Sequence, residues 1–122
     1  MKQITISTSN GTQYTFYCDF RNTRDGFAHD TAMFRNGYPE SKASAYYLNR
    51  TWEYWTYQTA CMQAVNGRIK DRIVYMKFRF MQDNDYKRLT AARKAEFDKL
   101  ADNDETIREL REVRDTLKTH CY

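Results

Sequence analysis

The stretch Tyr46-Tyr47-Leu48-Asn49-Arg50-Thr51-Trp52-Glu53-Tyr54-Trp55-Thr56-Tyr57-Gln58-Thr59 decides the fold, because the apolar period changes within it. Upstream, apolar residues alternate as they do along a half-buried strand. Downstream, they recur at the 3.6-residue spacing of an amphipathic helix. Both tryptophans and four of the tyrosines fall here. Such side chains bury much surface and keep a polar tip for a partner. The stretch therefore reads as the last strand running into the first helix, with Asn49 or Thr51 as the N-cap.

Working back from it, Glu40–Leu48 alternates as a fourth strand, with Ala43, Ala45 and Tyr47 on one face. Pro39 cannot donate to a ladder and belongs at a strand start or sheet edge. Asn36-Gly37 signals a tight two-residue hairpin, and Asn10-Gly11 gives the same type I′ signal earlier. Between the two, Tyr14, Phe16, Cys18 and Phe20 face one way and Gln13, Thr15, Tyr17 and Asp19 the other. Ile4 and Ile6 share a face of the first strand, and Asp25-Gly26 ends a polar turn. Residues 1–50 thus predict a four-stranded antiparallel meander.

Working forward, Tyr54, Tyr57, Cys61 and Val65 make a helical stripe, widened by Trp55, Thr59 and Met62. Asn66-Gly67 predicts a C-cap or kink, since glycine closes helices readily. Ile69, Ile73, Met76 and Phe80 then continue the helical spacing. Residues 73–81 also fit a strand, with Val74, Met76, Phe78 and Phe80 alternating against Tyr75, Lys77 and Arg79; the helical template is adopted. Tyr86, Leu89, Phe97 and Leu100, then Ile107, Leu110, Val113, Leu117 and Cys121, form the seams of two further helices around the polar break 101–104. The expected fold is α+β in one domain, 1–122. An antiparallel sheet (1–50) is packed by a helical segment (51–82, kinked at 66–67) and followed by a C-terminal helical hairpin (85–120).

Composition narrows the chemistry. No apolar run approaches the roughly 20 residues of a membrane span, and Met1-Lys2-Gln3 leads into no signal-peptide core. Cys18, Cys61 and Cys121 are odd in number, widely separated and without a CxxC, which suits reduced thiols in a cytosol. His29 and His120 have no ligand spacing around them, so neither a metal nor another cofactor is expected. No phosphate-loop, dinucleotide or hydrolase-elbow motif occurs. The expectation is a non-enzymatic protein.

Charge supplies the candidate site. Residues 67–94 carry nine basic residues against three acidic ones, while 95–122 carry five against eight. Arg68, Lys70, Arg72, Lys77, Arg79, Lys87 and Arg88 are either a solvated face or a surface that meets phosphates or an acidic groove. Arg68, Arg72 and Arg79 share one helical face, where charge should add little to folding. Trp52, Tyr54, Trp55 and Tyr57 either pack helix on sheet or offer rings to a partner. The candidate binding residues are the seven basic ones with Tyr54 and Tyr57.

The run Tyr46–Glu53, followed by Tyr57-Gln58-Thr59-Ala60, resembles a YLNRTWE–x–YQ(S/T) signature of small uncharacterised bacteriophage and mobile-element proteins. The match covers roughly residues 26–66, and no functional residue carries over from it. The resemblance implies a short accessory protein in the cytoplasm of a bacterial host. Such proteins include inhibitors of host defence, anti-CRISPR proteins among them. The expected partner is then a host protein or nucleoprotein complex, such as a CRISPR-Cas effector. A small nucleic-acid-binding regulator is the alternative.

Overall fold

Four strands follow one another as a meander: β1 (Lys2–Ser7), β2 (Gln13–Asn22), β3 (Gly26–Arg35) and β4 (Tyr38–Leu48). They form one antiparallel sheet in the order β1-β2-β3-β4. Three helices complete the α+β fold: α1 (Tyr57–Asp83), α2 (Ala91–Asp102) and α3 (Glu105–Thr119). The computed structural model describes residues 1–48, 56–83 and 89–120, with the backbone alone for Phe27, Tyr47 and Leu48.

Turn chemistry separates the two Asn-Gly hairpins. Asn36 (φ 49°) and Gly37 (φ 85°) both take left-handed conformations between the paired Arg35 and Tyr38, which is the type I′ geometry. At Asn10-Gly11 only Gly11 is left-handed (φ 87°), so the expected type I′ turn is not formed. The loop is longer, closed by Thr8 N–H donating to Thr12 O at 2.9 Å. The Asn10 side chain accepts from Thr12 N–H and donates to Glu109 of α3, holding it in a side-chain role. Pro39 sits in β4, an edge strand, opposite Phe34 and beside a register shift. There its missing N–H disturbs the ladder least.

The alternation read in β2 sets the inner face. Ile4, Ile6, Tyr14, Phe16, Cys18, His29, Thr31 and Met33 are all buried under the helices. α1 lays Ala60, Cys61, Ala64, Val65 and Ile69 on that face, and α3 adds Leu110, Val113 and Leu117. Small residues bring α1 close to β4, where Ser41 Oγ donates to Ala64 O at 3.0 Å. Farther along, α1 passes the end of this core and enters a second one, where Phe80 meets Phe97, Ala101 and Ile107.

The described part of α1 begins at Tyr57, with Thr56 Oγ1 accepting from Thr59 N–H at 3.1 Å, and the helix start expected near Thr51 falls outside the described residues. Asn49, Thr51, Trp52 and Trp55 lie outside the described residues, and Thr59, expected on the inner side, is exposed. α1 also runs unbroken through Asn66-Gly67, because Val65 and Ile69 are buried on either side and hold the glycine helical. The strand alternative for 73–81 is excluded, since these residues are helical. The last two helices join through a short turn as a hairpin, yet α3 packs mainly on α1 and less on α2. Caps fix their starts: Thr90 accepts from Arg93 N–H, and Asp104 accepts from Ile107 N–H at 3.1 Å. No described helix is long and apolar enough to cross a membrane.

Candidate binding surface on the second half of α1

The seven basic residues part company in three dimensions. Arg68 donates through Nε to Glu40 at 2.7 Å, tying α1 to β4. Arg72 donates to both carboxylate oxygens of Asp104, at 2.9 and 3.2 Å, tying α1 to the start of α3. Its guanidinium also lies 5.5 Å from the Tyr75 ring centre. The Arg72 hydrogen bond holds Asp104 below the usual carboxylate range, against the opposing effect of burial. These two arginines hold elements together, so the expectation that their charge adds little to folding does not survive. Lys70, Lys77 and Arg79 are exposed, and none of them makes an ion pair with a described residue. Lys87, Arg88 and Tyr54 lie outside the described residues.

Tyr57 is half-buried at the start of α1. Its ring stacks on Phe20 of β2 at 4.7 Å, with Lys2 Nζ 6.0 Å from its centre. That packing makes it a clamp between sheet and helix.

Sequence reasoning missed the apolar residues that stand out here. Val74 is 58% exposed, Tyr75 54% and Phe78 63%. Val74 and Phe78 are one turn apart with Tyr75 beside them, a cluster on the outer side of α1. Lys70 and Lys77 flank it on one side and Arg79 on the other, with Asp71 in line. Around the helix, Tyr75 and Arg79 open onto a groove of about 440 Å³ shared with Leu100 and Glu96 of α2. The signal was present: Ile69, Ile73, Met76 and Phe80 already fill the inner stripe, so Val74 and Phe78 have no core left to face.

Among the described residues, no group of three His, Cys, Asp or Glu could hold a metal ion. His29 is fully buried on β3, with Thr31 Oγ1 3.4 Å from Nδ1 and the Phe20 ring beside it. Burial lowers its pKa and favours the neutral ring. A dense polar cluster joins the β1–β2 loop to α3. Glu109 accepts from Arg35 Nε at 2.7 Å, Asn10 Nδ2 at 3.0 Å and the Tyr14 hydroxyl. Ser9 N–H donates to Glu112 at 2.6 Å beside it. Each member faces another member, as in a structural tie. No protein-family model, no curated protein and no solved structure matches the chain.

Proposed function

We propose that this chain is a non-enzymatic binding protein whose partner seats on the outer face of the second half of α1. One observation carries the reading. Three large apolar side chains, each more than half exposed, stand together on one helix among cations that make no ion pair with a described residue. Apolar clusters of this kind, rimmed by charge, are features of interaction sites. Anchors one turn apart on a helix suit an apolar groove in another protein, and Lys70, Lys77 and Arg79 suit an acidic rim around it.

The resemblance around residues 46–60 supplies the setting we propose: a phage or mobile-element protein acting in a bacterial cytoplasm. Its target would be a host complex that handles nucleic acid, such as a CRISPR-Cas effector. The excess of basic residues in 67–94 favours one other reading, direct binding of nucleic acid by a small regulator.

Affinity capture from host cells, with and without nuclease, tests both. Capture by the wild type should survive nuclease and be lost in the Val74→Asp/Phe78→Asp double variant, whose melting temperature should stay within a few degrees of wild type. Capture that disappears with nuclease, together with a steep loss of nucleic-acid affinity as salt rises, would replace the first reading with the second. If the double variant captures as well as the wild type, this face is not the contact surface.

A further inference from the structure

We propose that Cys18 and Cys61 are a disulfide-forming pair, closed within the chain by an oxidant of the peroxide class and locking α1 to the sheet. Their sulfurs lie 3.6 Å apart, although 43 residues separate them in sequence. One is at the middle of β2 and the other in the second turn of α1, so the bond would tie the sheet to the helix. Both are fully buried. Inside the core each sulfur has the other as its thiol neighbour, and a bridge to a second molecule is sterically shut out. A disulfide needs an S–S length of about 2.05 Å, so the sulfurs must close by on the order of 1.5 Å. The Cys18 thiol is pulled below its ordinary value by its hydrogen bond with Cys61, against burial, with help from the Thr31 hydroxyl. Cys61 is pushed up by the same bond and by burial. Cys18, which lies opposite Thr31 in the ladder and has that extra hydroxyl to steady a thiolate, is assigned as the attacking sulfur.

The step balances with hydrogen peroxide. The Cys18 thiolate attacks one peroxide oxygen and the O–O bond breaks. Hydroxide leaves and takes up the Cys18 proton as water, and Cys18 remains as the sulfenic acid. The Cys61 sulfur then attacks the Cys18 sulfur. The S–O bond breaks and the hydroxyl departs as a second water with the Cys61 proton. One peroxide is reduced to two waters while two thiols are oxidised to one disulfide. Burial makes the reaction wait for local opening of the contact between α1 and β2. It does not change the partner that Cys18 finds on reclosing.

The test uses the full chain carrying Cys121→Ser, treated with hydrogen peroxide in the folded state and, separately, in denaturant. The folded protein should lose two hydrogens from its intact mass and stay monomeric on a non-reducing gel. It should yield a Cys18–Cys61 cross-linked peptide on digestion. Its melting temperature should rise by about 5 °C or more, since the bridge restricts the unfolded chain, and dithiothreitol should reverse the change. In the denatured chain oxidation should be faster, but the bridge should be a clearly smaller share of the oxidised product. Cys61→Ser should stop at a dimedone-reactive Cys18; if that variant does not fold, the peptide map of the parent still decides. The proposal is overturned by oxygen-adduct masses without a cross-link, by disulfide-linked dimers, by thiols that stay unmodified, or by an equal share of the bridge in denaturant.

Discussion

Arg72 of α1 holds the cap of α3: its guanidinium donates to both oxygens of Asp104, the same carboxylate that accepts from Ile107 N–H at the start of that helix. One side chain thus links two helices through the group that begins one of them. Both partners are mostly buried, with side-chain exposures of 29% and 12%. Arg72→Ala should lower stability by about 1–3 kcal/mol, as loss of a partly buried charged hydrogen bond does. Arg79→Ala, on the open face, should stay within about 0.5 kcal/mol. Equal melting temperatures for the two variants would refute the distinction.

Glu109 should make the fold acid-sensitive. Burial alone would raise its pKa, but hydrogen bonds from Arg35, Tyr14 and Asn10 outweigh that and hold it at about 2, below the ordinary 4.5. The unfolded chain therefore takes up this proton first. The contribution is complete above about pH 4.5 and is lost as pH falls through about 2, with a size on the order of 2–3 kcal/mol. Glu109→Gln should be less stable at neutral pH and should flatten the difference curve across that interval. Parallel curves for variant and wild type would show that Glu109 is not the titrating group.

Gly67→Ala should stabilise the protein by ~0.5–1 kcal/mol, because alanine is the better helix former and less free when unfolded. Gly67 is exposed in mid-helix, and an added Cβ meets nothing within 4 Å. A lower denaturant midpoint for the alanine variant would mean that the helix needs glycine there.

Leu117→Ala should cost about 2–5 kcal/mol, the range for emptying a packed leucine site. Leu117 is fully buried in the core shared by the sheet, α1 and α3. Its carbonyl also accepts from Gln58 Nε2. Chemical denaturation with an unchanged m-value would measure the loss; a change under 1 kcal/mol would place Leu117 at the periphery.

The sheet was legible because its information is local. Tyr14, Phe16 and Cys18 alternate, Asn36-Gly37 suits one turn type, and Pro39 marks an edge. Ile107, Leu110, Val113 and Leu117 likewise wrote out the seam of α3. The capping of α1 was not legible, because several polar residues before Tyr57 could cap a helix and spacing does not rank them. Arg68 and Arg72 were misread for another reason. On the helix they look like any solvated cations, and their carboxylates lie 28 and 32 residues away in sequence. The closeness of Cys18 and Cys61 is equally a product of tertiary packing. Val74 and Phe78 could have been found by asking which apolar residues remain once the inner stripe is full.

The reach of α1 has a consequence for recognition. Its 27 residues span about 40 Å at 1.5 Å per residue, and both hydrophobic clusters are built against it. Such a beam cannot tilt without opening one core or the other. Val74, Tyr75 and Phe78 are therefore presented on a backbone already fixed before any encounter. A partner that seats on them has only side-chain rotamers to freeze, so the ordering entropy that opposes association is small and was largely met when the chain folded.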